Sequence, residues 1–333
     1  MYWMFAVTPI VLAVCLARFP IARSLGLMDM PDGLRKLHGR PVPLVGGIAV
    51  MVPFALLGAG FGLAAGLPWL MALSVAGAGL MTLGALDDAR NLRPLLRLAV
   101  SVALLVAIVW LVPSFQLDQV RFIGGVQLDT TLLAIPATVF CLIALQNGLN
   151  MADGMNGLAG SQLLCWALVL AGYALHQPAV FFVLMALAVA LFTVLAFNMR
   201  GLLFFGDAGS YSISVILGLA AIHLHNSPGS TLTADVVVLL FLVPMVDMAR
   251  LVVTRLQAGV SPFQGDRNHL HHLLIDAYGQ RRALILYLAL ACTPSMIALA
   301  FPAASLVLLV VTVLAYGGMI VGCQVRRLAE STS

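Results

Sequence analysis

The chain has 333 residues, 62% of them hydrophobic and 9% charged, with a formal net charge of +4 and a mean hydropathy of +1.06. Soluble domains carry roughly 25% charged residues, so this composition excludes a soluble protein. Its long unbroken apolar runs also exclude a transmembrane barrel, whose short segments alternate in hydrophobicity. With no water to bond the backbone, spans of this kind must be helical.

Runs of about 18 or more apolar residues read as spanning helices. The first, inside "MYWMFAVTPIVLAVCLARFPIAR", has no basic residue ahead of it and no small-residue cleavage site, so it reads as a retained span and not as a signal peptide. It covers roughly 2–20. Ten more follow at about 44–66, 68–86, 95–112, 131–149, 158–175, 179–198, 209–225, 233–250, 283–301 and 303–322. The expected fold is thus an all-α polytopic membrane protein of eleven transmembrane helices, with residues 1–333 forming a single domain. Alternate loops fall on opposite sides, and every one of the seventeen Lys and Arg residues except Arg121 then shares a side. Basic residues in short loops mark the cytoplasm, which places the N-terminus outside and the C-terminus in the cytoplasm. The one extended outer loop, "SFQLDQVRFIGGVQLDTT", alternates about Gly124-Gly125 and predicts a small β-hairpin near 116–129. The five cysteines are an odd set without metal-ligand spacing and read as small core hydrophobes.

The polar chemistry concentrates in inner loops near 21–43, 87–94, 150–157, 199–208 and 251–282. In "RKLHGRPVPLVGG", Lys36, His38 and Arg40 can all donate to phosphate oxygens; the plain alternative is a basic topology anchor. In "LDDARNLRPLLR", adjacent carboxylates at a membrane face are expensive. Asp87 and Asp88 are either solvated helix-end charges or a paired acid beside a basic stripe, since Arg90, Arg93 and Arg97 are spaced for one helix face. In "NGLNMADGMNGLAG", Asn147, Asn150, Asp153 and Asn156 recur every third residue and on a helix would form a steep stripe. The glycines there suit helix packing, but the amides and the acid offer ligands for a hard cation and a nucleobase edge.

In "LLFFGDAGS", Asp207 is either a helix N-cap or a cation ligand, with Phe204 or Phe205 available to stack on a base. In "SPFQGDRNHLHHLL", Arg267, His269, His271 and His272 fit a diphosphate better than zinc, because no cysteine or close acidic pair completes a tetrahedral set. Asp247 and Arg250, three apart on a helix, read as a supporting pair. Oxygen ligands with cationic donors suit magnesium and phosphoryl transfer, and the apolar bulk suggests a lipid as second substrate. A transporter would instead place ionisable residues near mid-bilayer, where this chain has almost none.

The ordered set Asp87-Asp88, Asn150-x-x-Asp153-Gly-x-Asn156-Gly, "FFGDAGS" and "SPF…DRNHLHH" resembles the polyprenyl-phosphate N-acetylhexosamine-1-phosphate transferases, a superfamily that includes the phospho-MurNAc-pentapeptide transferase of peptidoglycan synthesis. The resemblance runs from about residue 20 to 280. It implies transfer of a sugar 1-phosphate from a UDP-sugar to undecaprenyl phosphate or a similar carrier, with release of UMP, in the bacterial inner membrane with the site facing the cytoplasm. It implies Mg2+, with Mn2+ as a substitute, held by Asp207 and Asn150; Phe204 and Asn156 at uracil; Asp153 beside the nucleotide; Arg97 near the phosphates; and Asp87 and Asp88 on the lipid-phosphate side as the catalytic pair. The expected route is direct in-line attack with Asp87 positioning or deprotonating the acceptor, with a covalent phospho-aspartate route as the alternative. The interrupted "HLHH" resembles the N-acetylhexosamine branch, which starts O-antigen, enterobacterial common antigen or teichoic acid linkage synthesis, more than the peptidoglycan branch. The implied donor is UDP-GlcNAc first, with GalNAc, QuiNAc and FucNAc as alternatives. The implied partners are that UDP-N-acetylhexosamine, the polyprenyl phosphate and the lipid bilayer, with a homodimer allowed and no nucleic acid.

Overall fold

The computed structural model describes residues 3–31, 39–261 and 266–331. The apolar runs fold as expected into helices. The first is bent: α1 (Trp3–Leu16) and α2 (Arg18–Leu25) meet at 70°. Then come α3 (Gly46–Ala65), α4 (Pro68–Arg90), α5 (Pro94–Leu111), α6 (Ala134–Ala152), α7 (Leu158–Tyr173), α8 (Pro178–Asn198), α9 (Gly206–Asn226) and α10 (Ala234–Gln257). A short helix, α11 (Leu270–Tyr278), precedes α12 (Gln280–Ala300) and α13 (Ser305–Ser331). Two small antiparallel ribbons complete the described residues: β1 (Met28–Asp29) with β2 (Val42–Pro43), and β3 (Gln119–Arg121) with β4 (Gln127–Asp129).

The expected all-α polytopic fold of about eleven apolar helices is what the structure has. Among the described residues nine helices are long and apolar enough to cross a bilayer, or ten when the bent α1–α2 pair is taken as one span. Each expected segment is helical, and α7, at 16 residues, is the shortest of the apolar helices that run from one end of the bundle to the other apart from the bent first pair.

Helix α9 is the axis of the bundle: 94% of its 18-residue window is buried, against 22% for α5 and for α13. The outward faces of the peripheral helices carry large apolar side chains such as Leu95, Trp110, Val310 and Leu314, as a lipid-facing surface requires. Against α9 lie α3 and α4. The approach of α4 is close enough that a side chain at Gly84 would overlap the carbonyl of Asp207, and this contact sets the end of α4, with its two carboxylates, beside the first turn of α9.

Eighteen residues after Asp207, about 27 Å along the axis at 1.5 Å per residue, the other end of α9 is capped by the β3–β4 hairpin. The Arg121 guanidinium donates to the carbonyls of His225 and Ser230, and the Ile123 amide donates to Asp235 at 2.9 Å. Asp235 also accepts from the Ser305 hydroxyl at the start of α13. The hairpin is therefore pinned to the ends of three helices and lies far from the polar loops of the opposite end.

Candidate active site

At the opposite end, four chain segments meet around one cavity of about 580 Å³, a volume typical of sites for small molecules. Its walls include Asp88, Asn150, Asp153, Asn156, Phe204, Asp207 and His272. Thus residues from the ends of α4 and α6, the start of α9 and α11 converge, although they are spread over more than half of the chain.

The loop before α9 is held by backbone bonding. The Phe204 amide donates to the Pro43 carbonyl at 2.9 Å, while Gly46 and Gly47 donate to the carbonyls of Phe204 and Phe205 at 2.9 and 3.0 Å. Asn198 braces it further: its side-chain oxygen accepts from the Gly157 amide at 2.7 Å and its nitrogen donates to the Leu203 carbonyl at 3.0 Å. Asp207 sits in the first turn of α9, where Phe205 and not Asp207 is the N-cap.

The Asn150 amide nitrogen donates to Asp207 Oδ1 at 2.6 Å and to the Ser210 hydroxyl at 3.0 Å. With that nitrogen committed, Asn150 presents its carbonyl oxygen as the remaining polar atom. Asp207, Asn150 and nearby Asp88 are a set of hard oxygen donors, the kind magnesium takes. No three of His, Cys, Asp and Glu among the described residues form a metal-holding group.

The acid pair is divided in role. Asp87 is buried and turned away from the cavity: Arg97 donates to its Oδ2 at 2.7 Å, Tyr211 to the same oxygen at 2.9 Å, and the Leu92 amide to Oδ1 at 2.9 Å. Asp88 lines the cavity and accepts from the backbone of the first turn of α9, with the Ala208 amide at 3.3 Å. Tyr211 joins the two sides, its hydroxyl lying 3.3 Å from Asp207 Oδ2 and accepting from Arg97 at 3.1 Å. Asp153 also faces the cavity; burial, then the charge of Asp207, push its carboxyl up to about 7, so near neutral pH it can donate or accept a hydrogen bond.

The alignment of these segments with known proteins now has a structural frame. A family model for glycosyl transferase family 4 matches residues 70–225. The undecaprenyl-phosphate alpha-N-acetylglucosaminyl 1-phosphate transferase of Escherichia coli (strain K12) is 31% identical over 282 residues, 80% of this chain and 74% of that protein. The protein of the same name from Yersinia pestis is 31% identical over 297 residues, covering 83% and 77%. The chain belongs to the polyprenyl-phosphate N-acetylhexosamine-1-phosphate transferase family. A decaprenyl-phosphate N-acetylglucosaminephosphotransferase of Mycolicibacterium smegmatis is 30% identical over 291 residues, covering 76% and 70%.

Within this family frame, several sequence expectations change. The Asn147–Asn156 stripe is not on one helix: α6 ends at Ala152, Asp153 departs from helical angles, and Asn147 bonds back to the Ile143 carbonyl at 2.8 Å. Arg90, Arg93 and Arg97 do not share a helix face, because α4 ends at Arg90, Asn91 takes a φ of 51°, and Arg93 caps α5. Of the three, only Arg97 turns inward, and it reaches Asp87 and not the cavity wall. Arg267 is exposed, 3.9 Å from Asp276, and does not line the cavity. His269 is bonded through Nδ1 to Asp247 at 2.9 Å, so the neighbour that engages this ring is a carboxylate. His271 is 1% exposed and packs on Gly154; burial, then His272 and His269, lower its pKa well below the usual range. Burial and the charge of Arg267 lower that of His272 as well. Lys36 and His38 lie outside the described residues.

Tyr211 and Asn198 were not signalled by sequence. Each lies inside an apolar span, where a lone polar side chain reads as core; the only hint was that Tyr211 follows Asp207 by four residues, one turn along the same face.

A side chain at Gly154 would collide with the His271 ring. Gly154→Ala should therefore displace that ring and lower kcat by about 10²-fold, the cost typical of a roughly 1 Å misplacement. Transferase turnover alongside a thermal melt checks this; wild-type turnover by the variant would mean that His271 is not required where it stands.

Proposed function

We propose that this protein transfers GlcNAc 1-phosphate from UDP-GlcNAc to undecaprenyl phosphate, releasing UMP and forming a lipid-linked diphosphate sugar. The observation that carries the reading is the convergence of Asp88, Asn150, Asp207 and His272 on one cavity that also holds Phe204 and Asn156. The names of the relatives from Escherichia coli and Yersinia pestis support the sugar and the carrier, and favour this branch over the peptidoglycan enzyme and over a transporter.

In the proposed reaction an oxygen of the carrier phosphate attacks the sugar-bearing phosphorus of the donor in line. The bond from that phosphorus to the bridging oxygen breaks, and UMP leaves. A phosphate monoester has a second pKa near 6, so the acceptor is largely ionised at neutral pH and needs placement more than deprotonation. Asp88 is the carboxylate of the pair that meets the acceptor. Asp87 holds the floor of the site through Arg97 and Tyr211. Phe204 stacks on uracil, Asn156 bonds its edge, and Asp153 borders the nucleotide. Asp207 and the Asn150 carbonyl would hold Mg2+, which supplies charge neutralisation on the diphosphate and on departing UMP. His271 and His272 lie on the diphosphate side. The excess of Lys and Arg in the loops around this end supports a cytoplasmic orientation in the bacterial inner membrane, with the hairpin end outside.

The purified protein with undecaprenyl phosphate, magnesium and a panel of UDP-sugars should release UMP from UDP-GlcNAc. Turnover of UDP-MurNAc-pentapeptide instead would assign the peptidoglycan reaction, and no turnover of any UDP-sugar would remove the transferase reading. Asn156→Ala should raise the KM for the donor about tenfold, the loss of roughly one hydrogen bond, with kcat nearly unchanged. An unaltered KM would take Asn156 away from the base.

A further inference from the structure

Behind the histidine segment lies a polar cluster that the transfer chemistry does not itself use. Asp247 is 3% exposed inside α10, where a carboxylate persists only if it is paired and bonded. Its Oδ1 accepts from Arg250 at 2.9 Å and from the Tyr316 hydroxyl of α13 at 2.8 Å. Its Oδ2 meets His269 Nδ1 at 2.9 Å, and both oxygens lie 3.2 Å from the Leu270 amide. Arg250 reaches further, donating to the Tyr316 hydroxyl at 2.7 Å and to the Asn268 carbonyl at 2.6 Å. A second staple sits upstream, where Arg255 donates to Asp266 at 2.8 Å.

The bonds to residues 266–270 come from α10, through Asp247, Arg250 and Arg255, and Tyr316 of α13 braces Asp247 and Arg250. From there the contact passes through rings. His269 stacks on His271 with centroids 5.7 Å apart at 15°, and His271 meets His272 at 4.1 Å. His272 lines the cavity. Among the described residues, both ring nitrogens of His271 and Nδ1 of His272 are buried without a hydrogen-bond partner. Buried polar atoms are rarely left so, which marks these atoms as a face prepared for a ligand, in contrast to the fully engaged His269.

We infer that Asp247, oriented by Arg250 and Tyr316, is a positioning residue for the transfer: it fixes His269, and the ring contact of His269 sets where His271 and His272 stand beside the donor's diphosphate. The inference rests on the transferase reading above. It gives α13, which contributes no residue to the cavity wall, a part in catalysis through Tyr316.

The test uses the full chain, purified, with two variants. Asp247→Asn keeps the shape and removes the charge; Tyr316→Phe removes one hydroxyl on a helix away from the cavity. Three quantities are read: kcat and KM for UDP-GlcNAc, the thermal midpoint, and the rate at which diethyl pyrocarbonate modifies His271 and His272, followed by mass spectrometry. Asp247→Asn should lower kcat about 10- to 100-fold with KM changed by less than about threefold, the pattern of lost placement. Modification of the two histidines should become several-fold faster. Tyr316→Phe should do the same to a smaller degree, kcat falling about 3- to 10-fold, the scale of one hydrogen bond, with the folded protein retained. The inference is overturned if Tyr316→Phe and Asp247→Asn modify at the wild-type rate, or if kcat falls only in proportion to the unfolded fraction. If the wild type turns over no UDP-sugar while the variants still modify faster, the transferase reading fails and the placement of the histidines by Asp247 stands.

Discussion

Asp207→Asn should leave a folded protein with kcat at least about 10³-fold below wild type, the scale seen when a group that stabilises developing charge is removed. The substitution keeps the size and shape of the side chain in the first turn of α9. It removes the negative charge that Asn150 bonds at 2.6 Å, and it turns one of the two oxygens into a donor facing either the Asn150 amide nitrogen or the Tyr211 hydroxyl. A hard cation bound as proposed would then lose its principal carboxylate. The readout that separates this from misfolding needs no turnover. Ligand that binds only the folded state raises the thermal midpoint by mass action, so magnesium or manganese should raise the wild-type midpoint and have little effect on the variant. Chelation should abolish wild-type UMP release, and added metal should restore it. A variant that kept turnover within tenfold of wild type, or that was stabilised by metal as the wild type is, would remove Asp207 from the metal site.

How much of this was legible beforehand follows from the cost of polar groups in lipid. The helical segments were visible because nothing else satisfies backbone groups there, and the clusters at Asp87, Asn150, Asp207 and His271 stood out because each breaks an apolar background. Geometry within a cluster was less legible. The three-residue spacing from Asn147 to Asn156 suggests a continuous helix, yet α6 stops at Ala152; Asn150 meets the cavity from the last turn of α6, Asn156 from beyond the turn, and Asn147 not at all. Adjacent Asp87 and Asp88 look equivalent in sequence. They differ because a helix turns 100° per residue: one meets Arg97 and Tyr211 in the packed interface with α9, while the other reaches the cavity. Tyr211, Tyr316 and Asn198 gave no signal, since a polar tip on an otherwise apolar helix is visible only once its partner, distant in sequence, is placed against it. The bend between α1 and α2 was hidden for a similar reason: composition reports that a run is apolar, not that it is straight.

Arg97→Leu should be the most destabilising change in the site. Asp87 has a side-chain exposure of 2%, and Arg97, at 28%, is the only cation among its hydrogen-bond partners in the described residues. Removing one partner of a buried ion pair costs about 3–5 kcal/mol, because the other charge stays buried without compensation; the partial exposure of Arg97 places the expectation at the lower end, about 3 kcal/mol. The Tyr211 hydroxyl and the Leu92 amide remain on Asp87 but carry no full charge, and Tyr211 also touches Asp207, so the loss reaches the proposed metal site and turnover should fall with stability. The double variant Arg97→Leu with Asp87→Asn distinguishes the two effects. Neutralising the carboxylate removes the uncompensated charge, so the thermal midpoint should recover most of what the single variant lost, while kcat stays low because Tyr211 no longer bridges two ionised groups. Contacting residues are expected to couple in this way in a double-mutant cycle. A single variant that melted with the wild type would show that Asp87 is not held ionised by Arg97, and a double variant with restored turnover would remove the pair from the reaction.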